Sequence, residues 1–124
     1  MRFKAHSLLA SFKYASAGIY FMLRTQRNMR IHTVSGIAVF AVAVGLQLPP
    51  LQLALIAVAA SLVVICEMFN TAIENAVDLA THRRHPLAKA AKDVAAGAVM
   101  AAALNAIVVG VILLGPPLYR LFCP

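Results

Sequence analysis

Residues 33–48, 51–66 and 94–118 contain no charged side chain. A chain of 124 residues is too short to bury three such runs inside one soluble core. It is 62% hydrophobic and 12% charged, where a soluble domain is about half apolar and a quarter charged. The remaining solvent for such surfaces is lipid. A helix needs about 20 residues to cross about 30 Å of hydrocarbon. The first run is short for that unless Met29 to His32 extend it, and the second continues past its apolar part with polar residues on one side. The spacing therefore predicts spans over 30–48, 51–80 (with an extension beyond the membrane) and 94–117, all within a single domain, 1–124. The pairs Pro49-Pro50 and Pro116-Pro117 should end helices, since proline lacks the amide donor and clashes with the preceding turn.

The net charge of +7 invites a nucleic-acid reading, but the distribution of the cations opposes it. Of 11 Lys and Arg, six lie in residues 2–30 and four in residues 83–92, with Arg120 the last. Basic residues cluster on the cytoplasmic side of membrane proteins. Three crossings then put the N-terminus and the 83–92 loop in the cytoplasm, and the Pro49-Pro50 turn and the C-terminus outside.

Residues 3–28 read as an amphipathic helix in the cytoplasmic interface. Phe3, Leu8, Leu9, Phe12, Ala15, Ile19, Met22 and Leu23 recur at helical spacing, with Lys4, Lys13, Arg24, Arg27 and Arg30 among and just beyond them. This helix is either an anchor or also one wall of a cytoplasm-facing site. A cleavable signal peptide would need a continuous apolar core and a small-residue cleavage site, and neither precedes residue 33. Cys66 and Cys123 have no metal or redox spacing and are expected unpaired, and His82-Arg83-Arg84-His85 reads as a solvated loop.

All four carboxylates lie between residues 67 and 93. At about 100° per residue, Glu67, Asn70, Glu74 and Asp78 fall within an arc of about 80° on the second span. Carboxylates at the end of an apolar span are costly and mark function. Glu67, the deepest, has the position of a general base. Glu74 and Asp78, nearer water, are candidates to hold a hard cation through oxygen, and Asn70 can orient a neighbour or accept a metal. Lys92 and Asp93 reach the same level from the third span. A polar face merely satisfied by Lys and Arg is the alternative, though four adjacent groups exceed what packing requires. No Gly-rich phosphate loop is present, so a nucleotide would have to be held by metal and scattered cations. Alanines at 95, 96, 98, 101, 102 and 103 with Gly97 allow close helix approach in lipid. Three thin spans point to an oligomer, with Asn105 as interhelical glue. From these residues alone, an enzyme and a non-enzymatic membrane protein, such as a proton-linked transporter subunit, both stay open.

Glu67-Met-Phe-Asn70-Thr-Ala-Ile-Glu74-Asn75-Ala-Val-Asp78 resembles the E-x-x-N-[ST]-A-I-E-x-x-x-D signature of the prokaryotic diacylglycerol kinase and undecaprenol kinase family. His85 to Val99 resembles its second block, and Ser11 to Ala15, Gly18-Ile19 and Arg27 to His32 its N-terminal segment. The resemblance implies an all-α membrane fold, with an N-terminal surface helix and three transmembrane helices in a homotrimer. It implies Mg²⁺-dependent transfer of the ATP γ-phosphate to a membrane lipid hydroxyl, with undecaprenol ahead of diacylglycerol. By the same resemblance Glu67 is the catalytic base and contacts the lipid beside Asn70. Tyr14, Glu74, Lys92 and Asp93 bind nucleotide, and Glu74 binds the metal. Gln26 departs from the pattern. It stands where the family usually has a glutamate that shares the metal, and a neutral amide offers oxygen without charge. A weak or inactive relative is the corresponding alternative.

Overall fold

The computed structural model describes residues 7–123, and every regular element among them is helical. The expected start of the amphipathic helix, with Phe3 and Lys4, lies outside the described residues. Helix α1 runs Leu8–Thr25, α2 Arg27–Gly45, α3 Pro50–Ala80 and α4 Pro86–Phe122. The last three are long and apolar enough to cross a membrane.

Local chemistry explains the boundaries. Ser7 caps α1, its Oγ accepting from the Ala10 amide at 3.2 Å. The sequence reading carried this helix to residue 28, but Gln26 is extended (φ −102°, ψ 114°) and Arg27 begins α2. The first membrane helix thus starts earlier than residue 30 and carries Arg27 and Arg30 at its head. At its far end α2 closes in a Schellman turn. The Leu48 amide donates to the Ala43 carbonyl at 3.2 Å, and the Gln47 amide to the Val44 carbonyl at 2.9 Å. Gln47 takes the left-handed position, φ 56°, usually held by glycine.

Pro49 and Pro50 then start α3 as its N-cap and first residue, where a missing amide costs nothing. With 31 residues, α3 is about 46 Å long, so it extends well beyond a hydrocarbon layer. Thr81 to His85 reverse the chain, and the His85 Nδ1 caps α4 by accepting from the Leu87 amide at 3.2 Å. The second proline pair behaves differently from the first. Pro116 and Pro117 lie inside α4, which runs on to Phe122. They deprive the Ile112 and Leu113 carbonyls of helical donors, and near a membrane boundary headgroups and water can replace those donors.

α3 is the central helix and packs on both α2 and α4, while α1 touches α2 only sparsely. A small core of Ala43, Ile56 and Leu114 closes the end with the α2–α3 turn. Gly36 lets α2 and α3 approach closely, since a Cβ there would lie 3.2 Å from the Ala60 Cβ. Most other apolar side chains face outward, as lipid solvation or further subunits require.

Candidate functional site

The buried residues of α3 are Ile56, Ala59, Val63, Glu67, Asn70 and Thr71. Their spacing of three and four traces one helix face, which begins apolar and ends polar. Glu67 is only 3% exposed. The two ion pairs found among the described residues lie elsewhere, so this carboxylate is enclosed without a cationic partner. Asn70 sits one turn on and donates from Nδ2 to Glu74 Oε1 at 3.1 Å. Its Oδ1 is buried with no hydrogen-bond partner. Glu74 is half-buried and Asp78 exposed, so burial falls along the stripe in the order expected from the sequence.

Two lysines of α4 are engaged by carboxylates. Lys92 Nζ lies 2.6 Å from Asp78 Oδ1 and ties α4 to α3, while Lys89 pairs with Asp93 one turn along α4. Asp78, read from sequence as a candidate cation ligand, is thus the partner of Lys92. Tyr14 is exposed on α1. Gln26 is half-buried at the α1–α2 junction, and its Nε2 donates to Thr25 Oγ1 at 3.4 Å. The hydrogen bonds of the described residues do not join it to Glu74. Asn105 is exposed on α4 and, among the described residues, takes no part in the side-chain hydrogen bonding that would make it glue within one subunit. Cys66 and Cys123 are free. Thr71, buried beside Asn70, was missed in the sequence. Its one signal was its place next to Asn70 on the inward face.

Among the described residues no three His, Cys, Asp or Glu side chains converge as a metal centre. The Asn70 Oδ1 and the Glu74 carboxylate are nevertheless an all-oxygen set, and one member is an orphaned buried acceptor. That chemistry suits a small hard divalent ion that keeps other ligands from water or phosphate.

Two openings flank this stripe. An apolar groove of about 460 Å³ lies between α2, α3 and α4, lined by His32, Gly36, Ile56, Ala59, Val63 and Gly110 among others. Val63 is one turn before Glu67. At the α3–α4 loop a cleft of about 310 Å³ is lined by Asp78, His82, Arg83, Arg84, Lys89 and Lys92 among others.

An all-helical fold with three helices long and apolar enough to span a membrane, and an acidic face between an apolar groove and a basic cleft, defines a class of membrane protein. The family profile "Prokaryotic diacylglycerol kinase" matches residues 13–114. A diacylglycerol kinase from Synechocystis sp. is 50% identical over 118 residues, covering 94% of this chain and 67% of that protein. An undecaprenol kinase from Bacillus subtilis is 39% identical over 108 residues, covering 87% of this chain and 88% of that protein. The chain belongs to the prokaryotic diacylglycerol kinase family. That family is one of membrane lipid kinases, and this chain is one of its enzymes.

Proposed function

We propose that this chain transfers the γ-phosphate of ATP to the hydroxyl of a membrane lipid at the cytoplasmic interface of a bacterial inner membrane. The observation that carries the reading is the enclosed, unpaired Glu67 at the head of the apolar α3 face. The groove ending one turn below it suits a hydrocarbon chain whose hydroxyl comes to rest at the carboxylate. Glu67 takes the hydroxyl proton as the lipid oxygen forms its bond to the γ-phosphorus and the bond to the ADP oxygen breaks. Phosphoryl transfer demands mainly positioning and neutralisation of charge. Asn70 holds Glu74 in place through its amide, and its buried Oδ1 remains an unused acceptor. Glu74, with Asn70 and Gln26 as neutral oxygen donors, would hold Mg²⁺, which supplies charge neutralisation on the phosphates. Lys92 and the basic loop cleft receive the polyphosphate, with Asp93 and Tyr14 on the nucleotide side. For Lys92 this requires release from Asp78, an ion pair exposed enough to exchange at little cost.

Identity to the Synechocystis diacylglycerol kinase moves diacylglycerol ahead of undecaprenol, the reverse of the order taken from sequence. The test is labelled ATP with each lipid in mixed micelles. Transfer to one of them is expected, with diacylglycerol the better acceptor, and transfer to neither at saturating Mg²⁺ contradicts the proposal. A second reading, a catalytically weak relative, rests on Gln26. It predicts nucleotide binding with little turnover in the same assay.

A further inference from the structure

Among the described residues, Arg30 makes the longest-reaching side-chain hydrogen bonds of the N-terminal half. From the first turn of α2 its Nη1 donates to the Leu23 carbonyl at 3.2 Å and to the Arg24 carbonyl at 3.1 Å. These are two of the last four carbonyls of α1, which have no helical donors of their own. The Met22 carbonyl of that set receives the Gln26 amide at 2.8 Å. Arg30 therefore caps a helix other than its own, and its charge meets the negative end of that helix dipole. Packing along α1 is sparse, with Ile19 and Leu23 bordering an open cleft against α2 and α3. The one buried side chain of α1 is Met22, beside the junction, and Met29 of α2 is buried on the other side of the break. Between them Gln26 is the only non-helical residue, so the φ and ψ of that residue set where α1 points.

We infer that Arg30 is a positioning residue that clamps the α1–α2 junction, fixing the angle of α1 and the placement of residue 26 relative to the candidate site. The guanidinium acts on two carbonyls at once, across the hinge, and Lys retains the charge and donors at nearly the same reach. An apolar side chain supplies neither.

The test reads distances in the full-length chain in lipid nanodiscs, with Cys66 and Cys123 replaced by alanine. Spin labels go at Phe12 of α1 and Ile37 of α2, both exposed, and, as a control pair, at Phe69 of α3 and Met100 of α4, also exposed. Labelled chain is diluted with unlabelled chain so that only distances within one protomer are read. A narrow α1–α2 distribution is expected in the parent. Arg30→Met should broaden it at least twofold while the α3–α4 pair is unchanged, and Arg30→Lys should restore it. Arg30→Gln serves in place of Arg30→Met if the latter does not fold. An unchanged α1–α2 distribution overturns the clamp, as does equal broadening of both pairs, which would mean general loss of packing. The distance arm stands whatever the chain phosphorylates. A turnover arm rests on the kinase reading and expects a loss of about tenfold or more in Arg30→Met, partly recovered in Arg30→Lys. Full turnover with a broadened junction would overturn the clamp's part in the reaction.

Discussion

At the scale of single residues, Glu67, Asn70 and Glu74 were legible because a helix of regular pitch carries them and an uncharged run fixes their depth. Their partners were less so. The Asp78–Lys92 pair joins residues on two helices across a loop, and helical periodicity says nothing about which cation crosses it. His85 as the cap of α4 was likewise hidden, since its role depends on backbone direction. Gln26 gives a residue-scale prediction. If residue 26 shares a divalent cation with Glu74, Gln26→Glu adds a charged oxygen and should lower the Mg²⁺ concentration at half-maximal activity. Glu74→Gln should be far more damaging than any change at 26. A Mg²⁺ titration of both variants checks this, and an unchanged titration in Gln26→Glu removes residue 26 from the metal.

Among the elements, the two proline pairs are the same dipeptide in two settings. Pro49-Pro50 opens a helix and Pro116-Pro117 sits within one, and sequence alone distinguishes them poorly because the second depends on what replaces the lost donors. The break at Gln26 was also hidden, because the apolar periodicity of α1 runs into that of α2 without a glycine or proline. The α2–α3 turn offers a stability test. Gln47 holds a left-handed conformation that costs a residue with a Cβ about 1–2 kcal/mol. Gln47→Gly should therefore raise stability by up to about 1 kcal/mol once glycine's greater unfolded freedom is subtracted, read as a higher denaturation midpoint in detergent. Gly36→Val should do the reverse. Its side chain would meet Ala60, whose Cβ has no rotamer to yield, and overpacking of that kind costs about 1–3 kcal/mol.

For the molecule as a whole, three helices long and apolar enough to span a membrane follow directly from the charge-free runs, and the cation clusters carry the proposed orientation. The buried core is small, and large apolar faces of α2 and α4 stay exposed together with Asn105. A lone amide facing hydrocarbon is costly, and a second subunit would satisfy it. The proposed homotrimer accordingly predicts that Asn105→Leu weakens subunit association, measured as a shift toward smaller species in cross-linking of the membrane-embedded chain. Unchanged association would place Asn105 outside the subunit contact.

The central claim, that an enclosed carboxylate at the end of an apolar helix face serves as the base of a lipid kinase, is tested most directly by Glu67→Gln. Phosphate transfer from ATP to diacylglycerol and MgATP binding should be measured on the same preparation. The amide keeps the shape of Glu67 and loses its ability to take a proton. Turnover should fall by about 10²–10⁴-fold with MgATP affinity nearly unchanged. Retained turnover, or a loss of nucleotide affinity that accounts for the lost activity, would contradict it.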